Sequence, residues 1–326
     1  MGIEEQMTQT ILLTGGFGNI GGRLTDDLIT HGGVEVRLAS RVVQPPPIWA
    51  PNADVVLLDL LDESTIHQAV SGINTIFHLA ALNDIECAAD PELAHRVNVR
   101  GTELLLSAAI AAGVKRIVYM STIHVYGSPL SGNITEASPT EPTHPYGITH
   151  LLAEKLILDA HQKGLIEGVV LRSANGFGVP MNPAVKIWQI LVNDLCKQAA
   201  EVGALRLHSD GTQMRNFITL TDLCAALRHL QHLPAASLGD GIFNVGSQKS
   251  VSVLEMAQLI VERCKQVLGF TPELTLGPPP AQQMHLDPLS FDCTKIFKTR
   301  FSATTPASVE IDGLLTMCQE VFGAHD

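Results

Sequence analysis

Thr10-Ile11-Leu12-Leu13-Thr14-Gly15-Gly16-Phe17-Gly18-Asn19-Ile20-Gly21 begins as a short apolar, β-branched run, passes through closely spaced glycines and continues into a segment with helical periodicity. A strand that turns tightly into a helix leaves unpaired N–H groups and the positive end of a helix dipole at the turn. Small residues there let a pyrophosphate approach the backbone. Gly15, Gly16, Phe17, Gly18, Asn19, Ile20 and Gly21 are therefore candidate contacts for the phosphates of a dinucleotide. The competing reading is an ordinary glycine turn. Placement between a first strand and a first helix argues against it.

Outward from that turn, short β-branched runs alternate with longer helical patterns, the signature of βαβ units and a parallel sheet. Strands are expected at Thr10–Thr14, Glu35–Ala39, Val55–Leu58, Thr75–Leu79, Arg116–Met120 and Gly168–Arg172, and helices at Gly21–Thr30, Glu63–Val70, Pro91–Ala112 and Tyr146–Gln162. Right-handed crossovers would cover both faces of such a sheet with helices. After Arg172 the pattern loosens into glycine, proline and polar residues, with a proline cluster at Pro278–Pro280 and a last helix near Ser308–Phe322. The expected fold class is α/β: a Rossmann-type doubly wound parallel sheet with a smaller, irregular C-terminal α/β domain for substrate. The boundaries expected are 1–172 for the dinucleotide domain, with a returning segment near 213–250, and 173–212 with 251–326 for the substrate domain.

The chain has 326 residues, 45% of them hydrophobic, and a net charge of −12. It is long and apolar enough for a large core, and it lacks the basic surplus that general nucleic-acid or anionic-membrane binding requires. Six scattered cysteines without a CxxC pair fit reduced thiols and offer no zinc spacing, so no metal is expected. The polar, acidic start Met1–Gln9 precedes an apolar run too short for a signal-peptide core or a membrane span, and a cytoplasmic location is expected.

At the end of the second strand the sequence reads Leu38-Ala39-Ser40-Arg41, with no acidic residue for the adenosine ribose. A hydroxyl followed by a guanidinium suits a 2′-phosphate, which favours NADP over NAD. The alternative is that Arg41 stacks on adenine or faces solvent.

Further segments resemble the extended short-chain dehydrogenase/reductase family, in that family's order and over roughly residues 10–295: Asp59-Leu60, His78-Leu79-Ala80-Ala81, Asn98-Val99-Arg100-Gly101-Thr102, Ser121-Thr122-Ile123-His124-Val125-Tyr126-Gly127 and Pro145-Tyr146-Gly147. The resemblance implies cofactor contacts at Asp59, Leu60, Leu79, Ala80, Ala81 and Asn98. Leu171-Arg172-Ser173-Ala174-Asn175-Gly176-Phe177-Gly178-Val179-Pro180 and Arg215-Asn216-Phe217-Ile218-Thr219-Leu220-Thr221-Asp222 resemble the motifs of nucleotide-sugar epimerases, dehydratases and reductases. In that group the matching Asn and Arg hold the substrate's diphosphate, which assigns Asn175 and Arg215 that role; a structural pair between Arg215 and Asp222 is the alternative. Phe243-Asn244-Val245-Gly246 resembles a returning strand. The family also forms dimers through helices matching Pro91–Ala112 and Tyr146–Gln162, so a homodimer is expected.

The resemblance makes Tyr146 the acid/base and Thr122 the hydroxyl that polarises the reacting oxygen. A free tyrosine titrates at about 10, so a nearby cation must lower it for work at neutral pH. The family's cation is a lysine four residues after the tyrosine, where this chain has His150. Four residues is about one helical turn, so His150 shares the face of Tyr146, whereas Lys155 points elsewhere. A protonated His150, or His124 nearby, could replace the lysine; the alternative is a site that binds but turns over poorly. Ile123 and His124 stand where 4,6-dehydratases of the family carry Asp-Glu, and isoleucine cannot act as a general acid. His78 reads as a packed strand-end residue.

The leading expectation is an NAD(P)-dependent epimerase or ketoreductase acting on a nucleoside diphosphate sugar through hydride transfer at a ring carbon. The rivals are a dehydrogenase or reductase of a small alcohol or ketone, and a dinucleotide-binding protein whose catalysis is impaired by the loss of the lysine.

Overall fold

A computed structural model describes residues 9–279 and 287–323. The N-terminal residues 1–8 and Pro280, the last of the proline cluster, lie outside the described residues. Seven strands form the central sheet: β1 (Gln9–Thr14), β2 (Val34–Ser40), β3 (Asp54–Leu57), β4 (Thr75–His78), β5 (Arg116–Thr122), β6 (Glu167–Ser173) and β7 (Ile242–Val245). Their order is β7-β6-β5-β4-β1-β2-β3. The β1–β2, β1–β4, β2–β3 and β4–β5 pairs are parallel. The chain order reverses between β1 and β4, and their carboxyl ends, Thr14 and His78, are in register. Ligands of doubly wound sheets bind at such a reversal.

The expected strands are present, most of them a residue or two longer at an end. The Pro91–Ala112 helix needs correction. It divides into Pro91–Ala94, a π-wound stretch His95–Arg100, and Gly101–Ala111. π-windings insert extra backbone into a turn and occur often at functional sites; here the widened turn carries the buried Asn98. A further helix, Asp84–Ala89, begins with a capping box in which Asn83 accepts from the Glu86 N–H and the Glu86 carboxylate accepts from the Asn83 N–H.

The chain divides into two compact units. The first runs to Ser128 and adds Thr140–Arg172 and Leu227–Phe243; the second takes Pro129–Pro139, Ser173–Ala226 and the residues from Asn244 onward. This differs from the expected boundaries in three places, at residues 129–139, 213–226 and 244–250. Residues 129–139 join the second unit, where Asn133–Ile134 pairs with Ser290–Phe291. Residues 213–226 do likewise, because Phe217–Thr219 pairs with Asn175–Phe177. Each unit has its own apolar core. Leu12, Ile66, Ile76, Leu105, Ile117 and Ile157 belong to the first. In the second, helices Leu191–Val202, Val253–Val267 and Ala307–Phe322 bury Val192, Leu195, Ile260 and Leu314 with Phe177. All six cysteines are free, buried thiols. Among the described residues no helix is long and apolar enough to cross a membrane, and no three His, Cys, Asp or Glu side chains gather as a metal site.

Candidate active site

The glycine turn leaves β1 at the sheet's reversal. Gly15 takes a φ of +73°, and a Cβ on Gly21 would lie 2.1 Å from the Gly15 carbonyl oxygen, so the helix Asn19–His31 can start against the turn only with glycine there. Gly18 caps that helix without a side-chain bond, leaving its first N–H groups to a ligand. Asn19 Oδ1 is buried with no protein partner. Half a turn of its amide puts an NH2 donor in the same place, suited to phosphate. Backbone N–H groups, close-packed glycines and an orphaned amide together fit a dinucleotide pyrophosphate. Phe17 and Ile20 are half-buried beside them.

At the end of β2, the Ser40 hydroxyl donates to the Val42 carbonyl at 2.7 Å and accepts from Gln44 Nε2 at 2.7 Å and from Val42 N–H at 3.2 Å, so it builds the turn. Arg41 is exposed. Asp59 is half-buried and accepts from the Leu61 N–H at 2.9 Å, while Leu60 is buried.

The end of β4 is held by one continuous chain of hydrogen bonds. Thr102 donates to the Asn98 carbonyl at 2.6 Å, so it accepts from His78 Nε2 at 2.9 Å; Thr14 therefore donates to His78 Nδ1 at 2.7 Å. The Thr14 oxygen accepts in turn from the N–H groups of Leu79 and Ala80. Burial pushes His78 down to about 4, which keeps it neutral in this packed role. Ala81 follows, exposed. Asn98 is tied into the fold: its Oδ1 accepts from the Leu82 N–H at 2.8 Å and its Nδ2 donates to Thr149 Oγ1 at 3.1 Å.

Strand β5 delivers Thr122, and helix Pro145–Gln162 delivers Tyr146 and His150. A Cβ on Gly147 would lie 2.7 Å from the His124 carbonyl oxygen, so glycine lets this helix lie against the turn Ile123–Tyr126. Thr122 is buried and accepts from the His124 N–H at 3.2 Å. Tyr146 is half-buried, yet desolvation pushes its hydroxyl up to about 12; a hydrogen bond with Thr122 pulls it down, and nearby Asp84 and Cys87 push it up. The rings of Tyr146 and His150 meet edge to face at 4.4 Å, and His124, exposed on its turn, lies 6.3 Å from Tyr146.

The expectation of a protonated His150 is corrected. His150 is buried, and desolvation, followed by the influence of His78 and His124, pushes it down to about 3. Its Nδ1 pairs with the Tyr119 hydroxyl at 2.8 Å, and its Nε2 is buried with no protein partner. One turn further on, Glu154 accepts from Ser121 and from Arg172, whose Nη2 lies 2.7 Å away; Arg172 Nη1 also donates to the Tyr126 hydroxyl at 2.9 Å. Lys155 faces solvent. Tyr119, Asp84 and Glu154 were not foreseen. Strand alternation puts Tyr119 and Ser121 on one face and one-turn spacing puts His150 and Glu154 on another, but neither says that the two faces meet.

In the second unit, Asn175 donates one amide hydrogen to the Asn216 carbonyl at 2.8 Å, leaving the rest of its amide open. Arg215 is exposed, and neighbouring atoms lower its pKa somewhat by desolvation; its exposure keeps it charged. Among the described residues it has no ion pair with Asp222, whose carboxylate accepts from the N–H groups of Thr304 and Thr305. A cavity of about 250 Å³ in this unit is lined by Phe177, Phe217, Met256 and Leu259 with Ser247 and Lys249.

Comparison with known proteins adds the family. The profile of the NAD dependent epimerase/dehydratase family matches residues 11–246. The chain is 31% identical over 275 residues to UDP-glucose 4-epimerase of Bacillus subtilis, covering 76% of this chain and 80% of that protein. It is 28% identical over 267 residues to dTDP-glucose 4,6-dehydratase of Streptomyces niveus, covering 78% and 77%. The solved structure of MoeE5 in complex with UDP-glucuronic acid and NAD superposes with a TM-score of 0.77 at 26% identity, over 95% of this chain and 99% of that one. With a glycine turn at the reversal of a parallel sheet and both Thr122 and Tyr146 in the same unit, the chain belongs to the NAD dependent epimerase/dehydratase family.

Proposed function

We propose that this protein is an epimerase or ketoreductase of a nucleoside diphosphate sugar, working with a nicotinamide dinucleotide at a ring carbon of the hexose. The observation that carries the reading is the Tyr146 ring, 4.4 Å from that of His150, whose Nε2 is buried and unengaged, in the same unit as the buried Thr122. The dinucleotide, when bound, supplies the reversible uptake and return of hydride. Gly15 to Gly21 would hold its pyrophosphate, and His150 would orient its nicotinamide ribose. Tyr146 moves the proton. With its hydroxyl near 12 it is protonated at neutral pH, which suits delivery of a proton to a carbonyl oxygen in the reductive half; in the oxidative half of an epimerisation the phenol would first release that proton and then take one from the sugar hydroxyl. Thr122, whose hydroxyl lowers the pKa of the phenol, would polarise the same oxygen. Arg215 and the open part of the Asn175 amide would hold the diphosphate, since an unpaired guanidinium forms charge-assisted bonds to phosphate oxygens.

Relatives named as acting on UDP- and dTDP-sugars support the substrate class. Arg41 favours NADP, against a structural relative solved with NAD. The expected homodimer belongs to the same proposal and is read by sedimentation.

The experiment is calorimetric titration with NAD, NADP and their reduced forms, then with UDP-, dTDP-, GDP- and CDP-hexoses, followed by NMR of the sugar. An epimerase inverts a ring carbon without net consumption of reduced dinucleotide; a ketoreductase consumes it. Binding of a dinucleotide with no affinity for any nucleotide sugar would falsify the substrate class.

A further inference from the structure

Hydrogen-bond accounting around His150 assigns a role to a residue outside the catalytic pair. The Tyr119 hydroxyl is buried in β5, and His150 Nδ1 is its hydrogen-bond partner at 2.8 Å. If the imidazole carried its proton on Nδ1, the phenol would accept it and its own O–H would be buried unpaired, together with a bare Nε2 lone pair. If the phenol donates, a single group is left over: an N–H on Nε2, buried and unpartnered. Each buried unsatisfied group is costly, so the second arrangement wins. It also leaves a donor beside the Tyr146 ring, whose centroid is 4.4 Å from that of the imidazole.

We infer that Tyr119 is a positioning residue: by donating to His150 Nδ1 it locks a neutral imidazole as the Nε2–H tautomer, which receives a hydroxyl oxygen of the bound dinucleotide or sugar. The inference rests on the functional reading above for the ligand, but not for the tautomer. An ammonium at this place would bring a charge; the locked imidazole brings direction without charge. The ionisable groups facing it agree. Tyr119 lies on β5 and Tyr146 on its own helix, His78 lies on β4, and His124 lies on the turn after β5. Glu154, one turn along the helix, is already paired with Arg172. A neutral form is also what burial imposes on both His150 and Tyr119.

The test reads the tautomer directly, by two-bond ¹H–¹⁵N spectra of the full chain labelled on histidine, first without ligand. The expected result is a His150 signal of the Nε2–H form, unchanged across neutral pH, and a mixed or Nδ1–H signal in Tyr119→Phe. That variant should also bind the ligand that supplies the oxygen, the dinucleotide or UDP-glucose, about tenfold more weakly, the worth of one oriented hydrogen bond. His150→Gln, which keeps an N–H donor, should bind better than His150→Phe. A shift of the Nε2 signal on adding NAD or NADP alone assigns the acceptor to the dinucleotide, and a shift only when UDP-glucose is added to the loaded protein assigns it to the sugar. An imidazolium or Nδ1–H signal in the wild type overturns the inference, as does an Nε2 signal that stays fixed while both ligands bind. Failure of every ligand to bind, with the tautomer as expected, would instead count against the functional reading.

Discussion

Two rungs join β5 to the helix Pro145–Gln162, one turn apart, and they differ in charge. The pair Tyr119–His150 is neutral and ends in an unengaged Nε2. In the other rung Ser121 donates to Glu154, whose carboxylate forms an ion pair with Arg172, which the Tyr126 hydroxyl and ring also engage. Strand alternation puts Tyr119 and Ser121 on one face, and the helical turn puts His150 and Glu154 opposite them. The same backbone geometry thus builds one rung whose groups are engaged and one with a donor to spare. Completed pairing of buried charge makes scaffold, while incomplete pairing of a neutral group makes a site.

The largest effect expected from breaking this contrast is on the ionic rung. Arg172→Met strands the Glu154 carboxylate in the interior and should lower stability by about 3–5 kcal/mol in urea unfolding. His150→Phe, which removes only a neutral hydrogen bond and leaves the Tyr119 hydroxyl unpaired, should lose about 1–3 kcal/mol. Equal losses would mean that the two rungs do not differ in kind.

His150→Lys converts the neutral rung into a charged one. A cation beside Tyr146 favours the phenolate, so the rise of kcat/KM with pH in the direction that needs a base should move down by about 1–3 units. An unmoved profile would place residue 150 away from the phenol's electrostatics.

The acid response is a further consequence of the neutral rung. His150 falls from 6.5 to about 3 on folding and His78 from 6.5 to about 4, so below about pH 6.5 the unfolded chain binds more protons than the folded one. Their contribution to stability is complete above about pH 6.5 and is lost progressively as pH falls toward 3. Replacing His150 with Phe should flatten that decline, as read by thermal unfolding across pH.

Much of the first unit was legible because its signals are local. The glycine turn, the strand periodicity and the order Thr122, Tyr146, His150 can be read along the chain. The rungs could not, since Tyr119 meets His150 through the register of a strand against a helix, and sequence spacing does not fix that register. The Ser40 contacts were hidden for a related reason: a serine at the strand end invites a phosphate, while its hydroxyl bonds Val42 and Gln44. The Asn83…Glu86 capping box was present in the sequence, yet its short helix was missed. In the second unit, two-residue strands such as Asn133–Ile134 carry no periodicity, so the membership of residues 129–139 depended on a partner at Ser290–Phe291.

The central claim is that Tyr146 transfers the proton for chemistry on a nucleotide sugar with a neutral donor at position 150. It is tested most directly by mixing dinucleotide-loaded protein with UDP-hexoses and following the reduced-nicotinamide absorbance and the sugar's configuration, in the wild type and in Tyr146→Phe. The account predicts conversion in the wild type and a loss of about 10²–10⁴-fold in the variant, with binding of both ligands retained. Conversion that persists at the wild-type rate without the phenol, or tight binding of both ligands with no conversion at any pH, would contradict it.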